Sequence, residues 1–341
     1  MFELTRRRLL VAASTGLIGA CSRTIELFGS GATLPAQQYA AWLAAYAVEA
    51  PQVRIAYLPI GSGGGIRQLA HGTVDFGASD VEIDPSERTL LAREVISLPT
   101  AIIAVGVCYN LGGVEGLRLS RRVCAAIYVG EITSWRDAAI LAENPGINLP
   151  NLPIAPVFRA DGGGSTALFT SRLASESSAL RERVGVGRGA RFSVGIGARG
   201  SDGVVDLVAN IPGAVGYVEV VHALRAGLPV AALDDGHGGF VAPTRAAVLV
   251  ACQAREPIER GYPLSSPTYL VVPKKWSDPA KGAAMARFSY WVVTAGQASL
   301  DGGAAEELAA SLLPLPAPLA AFARAELGQL TSGATRLLAI D

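Results

Sequence analysis

Strand-like and helix-like segments alternate along this chain, and this alternation constrains the fold more than any other feature of the sequence. Residues 53–57 alternate polar and apolar side chains at period two, as a strand does, whereas residues 35–50 place Tyr39, Leu43 and Tyr46 on one helical face. Residues 101–107 form a continuous apolar run, consistent with a buried strand. Further strands are predicted over 74–79, 154–158, 214–221 and 269–272, and further helices from 66 and 165 and over 285–294 and 318–327. The pattern predicts an α/β fold with mainly parallel sheets.

The balance of charge restricts the partners that the chain can have. Its 341 residues include 29 basic and 29 acidic side chains, so the formal net charge is zero. A nucleic-acid partner favours a basic stripe, and long-range steering of an anion favours a net positive charge. Any anion site in this chain must therefore be local and built from aimed donors. The length suits one large domain or two ordinary ones.

The N-terminus is typical of an export signal. Three arginines at 6–8 precede an apolar run to Ala20, which is shorter than the ~20 apolar residues that span a bilayer. Adjacent arginines resemble a twin-arginine signal, with general secretion as the open alternative. Residues 18–21 resemble a bacterial lipobox, so we expect residues 1–20 to be a signal peptide and Cys21 to carry a lipid anchor outside the cytoplasm. An ordinary cleaved signal with a chance cysteine is the alternative.

The other cysteines, Cys108, Cys124 and Cys252, show no metal-site spacing. None forms a C-x-x-C pair, and the three histidines are scattered, so neither a zinc nor a haem site is predicted, and no cofactor is expected. We expect the three cysteines to be small core residues. A disulfide between Cys108 and Cys124 is the alternative, which only an oxidising compartment would allow.

Three loops of small residues lead directly into predicted helices, at residues 29–34, 61–65 and 162–166. A helix N-terminus exposes unpaired N–H groups and a partial positive charge, and glycine lets an anion approach the backbone closely. Each loop is therefore a possible oxyanion cradle. One such loop is as well explained by a simple turn, but three in one chain, each with a hydroxyl residue, favour anion binding.

Charged residues lie beside two of these loops. Arg159 precedes the third loop and can direct two parallel N–H donors at an oxyanion, with Asp161 close by; a surface ion pair is the alternative. Asp80 follows a predicted strand at its carboxyl end, where open α/β sheets bind ligands. A turn aspartate that leads to the next helix is the alternative for Asp80.

Five phrases of the sequence together resemble the phosphate-binding proteins that serve bacterial phosphate ABC transporters. They are GSGATLPAQQYAAW (29–42), YLPIGSGGGIRQLAHGTVDFGASD (57–80), ITSWRDAAI…NPGINLP (132–150), RADGGGSTALFTSRL (159–173) and IPGAVGYVEV (211–220). Their order and spacing match, and the resemblance covers nearly the whole mature chain. It implies a two-lobed periplasmic binding fold with two hinge crossovers that closes around its ligand. Lobe one would combine residues 25–105 with 265–341, and lobe two would be the insertion of residues 106–264.

The resemblance also implies a function and a site. The chain would be a monomeric binding protein without enzymatic activity, and its partners would be phosphate, the permease subunits of the transporter and the membrane, but no nucleic acid. Asp161 would hold Arg159 in place behind the ligand. The implied phosphate contacts are Ala32, Thr33, Leu34, Ser62, Asp80, Arg159, Gly163, Gly164 and Ser165.

Asp80 would select the ligand by accepting a hydrogen bond from its proton. Phosphate near neutral pH still carries a proton to donate, whereas sulfate does not. Sulfate would therefore face a carboxylate in a dry site, a repulsion that costs on the order of 3–5 kcal/mol by analogy with broken buried pairs. Discrimination by an unsatisfied polar group is stronger than discrimination by size.

The sequence departs from the family at two contact positions. Leu34 stands where the family usually has phenylalanine, and little loss is expected because only the backbone is used there. Gly163 stands where the family usually has serine, and a lost hydroxyl donor to a charged ligand is worth roughly 1.5–3 kcal/mol. We therefore expect weaker phosphate binding than is usual in the family, with a related oxyanion as the alternative ligand. The competing functions are a phosphate-ester hydrolase and a two-lobed sensor or scaffold that has lost ligand binding.

Overall fold

The computed structural model describes residues 24–253, 261–300 and 312–338. The predicted signal peptide and Cys21 lie outside the described residues. The strands are β1 Ile25–Gly31, β2 Val53–Pro59, β3 Phe76–Ser79, β4 Val95–Tyr109, β5 Arg118–Leu119, β6 Ala155–Arg159, β7 Ile196–Ala198, β8 Ala214–Glu219, β9 Ala232–Asp234, β10 Phe240–Val241, β11 Ser265–Pro273, β12 Thr331–Ser332 and β13 Thr335–Arg336.

Helices cover the faces of the sheets and fill the connections. A 3₁₀ helix, Ala295–Leu300, follows the longest C-terminal helix. The α-helices are α1 Ala36–Glu49, α2 Ser62–Ala70, α3 Pro85–Leu90, α4 Arg121–Tyr128, α5 Ala138–Glu143, α6 Gly164–Ala174, α7 Ser178–Arg183, α8 Gly200–Asn210, α9 Val220–Arg225, α10 Arg245–Ala251, α11 Pro279–Val292 and α12 Ala317–Leu327.

One strand, β4, links two groups of strands into a single sheet. The strand order in this sheet is β2-β1-β3-β11-β4-β8-β6-β7. The first part of β4 pairs with β11 as far as Ala104, and from Val105 onward the strand pairs with β8 instead. All of β4 is buried, because helices α9, α10 and α12 also contact it. The chain therefore passes from one half of the molecule to the other inside β4.

The expectation of mainly parallel sheets is wrong for the centre of the molecule. Strand β4 is antiparallel to both of its neighbours, and β11 is antiparallel to β3. The outer strands are parallel, as predicted: β1 with β2 and β3, and β6 with β7 and β8. A continuous apolar run signals burial on both faces, which helices impose on a strand of either direction, so the sequence did not distinguish the two arrangements.

Several elements start or end away from their predicted limits for local reasons. Helix α2 begins at Ser62, directly after Gly61, whose φ of 88° turns the chain into the helix. Helix α11 begins at Pro279, where the side chain of Asp278 accepts hydrogen bonds from the N–H groups of Ala280 and Lys281. Strand β8 ends at Glu219 because helix α9 begins at the next residue.

A hydrophobic core extends across both groups of strands and includes the aromatic residues of α1, α4 and α6. The three cysteines of the described chain, Cys108, Cys124 and Cys252, are buried and free, as expected for core residues. Burial raises the pKa of Cys108 to about 12, so its thiol stays protonated at neutral pH. In the described part of the chain, no helix is both long and apolar enough to cross a membrane.

Candidate ligand-binding site

Asp80 lies directly after β3, at the carboxyl end of the strand, and only 2% of its surface is exposed. The hydroxyl of Ser62, the first residue of α2, donates a hydrogen bond of 3.1 Å to Oδ2 of Asp80. The hydroxyl of Thr268 on β11 donates to Oδ1 at 3.3 Å. Burial, followed by the charge of Glu219, raises the pKa of Asp80 to about 7, against the lowering effect of the hydrogen bond from Ser62. Asp80 is therefore a buried carboxyl group whose pKa lies close to neutral pH.

Arg159 ends β6 and is equally buried. Its Nε and Nη2 atoms donate to the two carboxylate oxygens of Asp161 at 2.6 and 2.7 Å. Its Nη1 donates to the hydroxyls of Ser201 at 3.0 Å and Ser165 at 3.4 Å. Burial alone would raise the pKa of Asp161, but the hydrogen bond from Arg159 lowers it, and the net shift is downward. This ion pair is therefore formed at neutral pH. The guanidinium is thereby fixed in one orientation.

Helix α6 begins where these two charged groups come together. A Cβ atom on Gly164 would lie 2.5 Å from Cβ of Asp80 and 2.9 Å from the hydroxyl of Ser62, so only glycine allows this approach. A Cβ atom on Gly163 would lie 2.9 Å from Nη2 of Arg159. The guanidinium therefore lies in the space that a side chain at position 163 would occupy. The first N–H groups of α6 start beside Asp80 and Arg159.

The first predicted loop lies beside the same strand end. The N–H group of Ala32 donates to the carbonyl of Ala78 on β3 at 3.0 Å, and the carbonyl of Ala32 accepts a hydrogen bond from Tyr57. Thr33 is half-buried and Leu34 is buried. No hydrogen bond recorded among the described residues joins Thr33 or Leu34 to Asp80 or Arg159. The structure thus brings Ser62, Asp80 and Gly164 into contact and places the first loop next to them.

Sequence reasoning missed four residues of this region. Thr268 and Ser201 supply hydroxyls to Asp80 and Arg159, and Glu219 ends β8 nearby. Arg188, in the loop between α7 and β7, donates to the carboxylate of Glu87 on α3 and to the hydroxyl of Ser79. The charge of Arg188 opposes the raised pKa of Asp80. No local pattern marks these residues, because each reaches the site only through the fold.

The chemistry of the site suits an anion that carries a proton. The donors are a fixed guanidinium, hydroxyl groups and the N-terminal N–H groups of α2 and α6, whose helix dipoles favour negative charge. The acceptor beside these donors is the buried carboxylate of Asp80. Neither a metal nor a catalytic group is needed for such binding, and the described residues contain no cluster of His, Cys, Asp and Glu that could hold a metal ion.

Comparison with known proteins identifies the family. Residues 18–295 match the family model of the PBP superfamily domain. The phosphate-binding protein PstS of Xylella fastidiosa is 32% identical over 292 residues, which cover 81% of this chain and 79% of that protein. PstS of Pasteurella multocida is 31% identical over 330 residues, which cover 92% of this chain and 93% of that protein.

Solved structures agree in fold. A high-affinity periplasmic phosphate-binding protein bound with phosphate superimposes with a TM-score of 0.70 at 21% identity, over 88% of this chain and 93% of that one. The phosphate-binding protein of Stenotrophomonas maltophilia gives a TM-score of 0.65 at 20% identity over the same shares. The predicted two-lobed α/β fold and the predicted family resemblance are both confirmed.

Proposed function

Because the chain belongs to the PBP superfamily and to its phosphate-binding proteins of the PstS type, we propose that it captures inorganic phosphate as the substrate-binding component of a phosphate ABC importer. The observation that carries this proposal is the meeting of Asp80 with the N-terminus of α6. There one buried acceptor faces backbone N–H donors and the fixed guanidinium of Arg159. Phosphate offers oxygens for the donors and a proton for the acceptor, so it satisfies every group.

The two lobes would be those expected from the sequence, residues 25–105 with 265–341 and residues 106–264. The exchange of pairing partners along β4 at Ala104 and Val105, and the start of β11 at Ser265, support these limits. Asp80 and Ser62 would then belong to lobe one, and Arg159 and Gly164 to lobe two. Such an arrangement lets the lobes close on the ligand by rotation about β4 and a second crossover.

We assign the individual contacts as follows. Thr33 and Ser62 would donate from hydroxyl and backbone, and Ala32 and Leu34 would line the first turn. Gly163 would contribute its backbone N–H alone, because the guanidinium of Arg159 lies where a side chain would begin. This packing compensates in part for the missing hydroxyl, since it holds the charged donor close to the helix N-terminus. The remaining contacts would be Gly164 and Ser165 in the α6 turn and the charged pair of Arg159 with Asp161.

The remaining proposals concern the context of the protein. We propose that it works outside the cytoplasm, held to the membrane by a lipid on Cys21, and delivers phosphate as a monomer to permease subunits. It would catalyse no reaction. Export by the twin-arginine or the general route would both serve this role.

The experiment that tests the function is calorimetric titration of the mature protein, stripped of phosphate, with phosphate, arsenate and sulfate at neutral pH. We expect phosphate and arsenate to bind, because both carry a proton for Asp80, and sulfate to give no signal. An equal response to sulfate, or no response to phosphate, would overturn the proposal. Turnover of a chromogenic phosphate ester would overturn the non-enzymatic role.

A further inference from the structure

Glu219 lies at the carboxyl end of β8, inside the molecule, and no contact assigned above uses it. It pairs in register with Val105, the residue at which β4 exchanges partners. Strand β8 runs parallel to β6, so Glu219 ends its strand at the same edge of the sheet as Arg159. Only 2% of the Glu219 surface is exposed. The residue therefore lies buried at the sheet edge that carries Arg159, next to the point where β4 passes between the two proposed lobes.

Both carboxylate oxygens of Glu219 are buried and accept no hydrogen bond in the described part of the chain. Nδ1 of His222 on α9 lies 3.3 Å from Oε2, but without hydrogen-bond geometry. The opposite nitrogen of His222 lies 3.9 Å from the exposed Asp202 of α8. A buried carboxylate without donors is costly, because its charge is compensated neither by water nor by hydrogen bonds.

The arginines whose charges act on Asp80 are already matched by other carboxylates. Arg159 is paired with Asp161, and Arg188 is paired with Glu87. The other titratable neighbours are Asp80, His222 and the neutral thiol of Cys108, on which the charge of Glu219 also acts. Two carboxylates, Glu219 and Asp80, thus share a buried region whose arginines are paired elsewhere, and His222 is the basic side chain recorded next to Glu219 in the described part of the chain.

Two carboxylates in one buried site repel each other, so the site takes up a proton more readily than either group would alone. This repulsion is the second cause, after burial, of the raised pKa of Asp80. A bound anion adds further negative charge to the same region. The free energy of the closed complex must then depend on the total number of protons bound to the ligand and to Asp80.

We propose that Glu219 is a second selectivity carboxylate, whose buried charge sets how many protons the closed cleft must hold when phosphate is bound. It acts on the ligand through Asp80 and strengthens the exclusion of oxyanions that lack a proton. The inference rests on the proposed function for its ligand. The effect of Glu219 on Asp80 exists in the ligand-free protein and can be tested there separately.

The first test is a carbon-13 NMR titration of the Asp80 carboxyl group in the ligand-free protein, comparing wild type with Glu219→Gln. Removal of the charge is expected to weaken proton binding at Asp80 about tenfold, which is a shift of about one pH unit in its midpoint. Asp202→Asn is the matched control, since it removes a carboxylate that faces the same histidine from solvent, and it should leave the midpoint in place. An unchanged midpoint in Glu219→Gln would overturn the proposal.

The second test is the pH dependence of binding, measured by calorimetry with phosphate between pH 6 and 9. At pH 9 the protons are scarce, so Glu219→Gln is expected to bind phosphate about tenfold more tightly than wild type, with less than about a threefold difference at pH 6. Competition by sulfate should become stronger in the same variant. Glu219→Asp keeps the charge and should keep the wild-type pH profile even if its affinity changes.

The outcomes separate the inference from the function. A change in affinity that is uniform across pH would show a packing role for Glu219 and refute the proposal. If wild type bound no phosphate, the proposed function would fail, and the NMR comparison would still decide whether Glu219 controls the proton of Asp80. Thermal melting of each variant shows that the comparison is made between folded proteins.

Discussion

At the scale of single residues, Gly164 begins helix α6 at the point where this helix faces Asp80 and Ser62. Any β-carbon there would lie within 2.6 Å of Oδ2 of Asp80, closer than side chains approach one another. The contact joins residues that we assign to different lobes. A side chain at position 164 would therefore hinder closure of the cleft while leaving each lobe packed as before.

Gly164→Ala is expected to weaken phosphate binding by about a hundredfold or more, equivalent to about 3 kcal/mol, with little change in thermal stability of the ligand-free protein. Calorimetry and thermal melting measure the two effects. Gly63→Ala is the matched control in the first turn of helix α2, because a β-carbon there meets its nearest neighbour at 3.5 Å, an ordinary contact. Equal affinity in the Gly164 variant and wild type would show that the lobes do not meet here.

At the scale of elements, the loop between α7 and β7 connects the two halves through Arg188. Its side chain is 9% exposed and binds both the carboxylate of Glu87 on α3 and the hydroxyl of Ser79 on β3. Because Ser79 precedes Asp80, this contact holds the loop against the strand that carries the selective carboxylate. Under the proposed lobe limits, Arg188 joins lobe two to lobe one, and we expect this contact to stabilise the closed form.

Arg188→Ala is expected to lower phosphate affinity about tenfold to a hundredfold, because hydrogen bonds to a charged group are worth roughly 1.5–3 kcal/mol and these form between the proposed lobes. Arg183→Ala is a suitable control, since its ion pair with Glu131 is exposed and lies within the proposed lobe two. Calorimetric titration of both variants decides the matter. An affinity that Arg188→Ala leaves unchanged would place the loop outside the closing contacts.

The sequence predicted the existence of most long elements, because periodicity and apolar runs are local signals. It also predicted Ser62, Asp80 and Arg159 at strand ends and helix starts, where loop composition and position along the chain are informative. The direction of β4 could not be predicted, since burial on both faces gives the same apolar run in either direction. Thr268 and Arg188 were missed because nothing next to them in the sequence distinguishes them. Only tertiary contacts bring them to Asp80.

At the scale of the whole molecule, the raised pKa of Asp80 links stability to pH. The unfolded chain titrates this group near 3.8, whereas the folded protein holds its proton until about pH 7. The neutral carboxyl therefore stabilises the fold below pH 4, and this contribution is lost as the pH rises to about 7. The ligand-free protein keeps an ionised, buried Asp80 only at a cost in free energy.

We expect the unfolding free energy of the ligand-free wild type, relative to Asp80→Asn, to fall by up to about 4 kcal/mol between pH 4 and 7.5. Chemical denaturation at both pH values measures this difference, and the variant cancels the contributions of all other groups. Parallel behaviour of the two proteins across this range would contradict the raised pKa. Saturating phosphate should recover much of the loss, since a ligand that binds only the folded state stabilises it.

Strand β11 lies between β3 and β4 in the sheet, yet the ribosome makes it long after both. A growing chain therefore carries β3 and β4 with unpaired backbone edges until residues 265–273 have been made. Those residues also bring the Thr268 hydroxyl that holds Asp80. A nascent or truncated chain that stops inside the insertion thus lacks both the central pairing and a complete binding cleft. Phosphate binding would then require that synthesis has passed β11. Only chains that include this strand could bind the ligand.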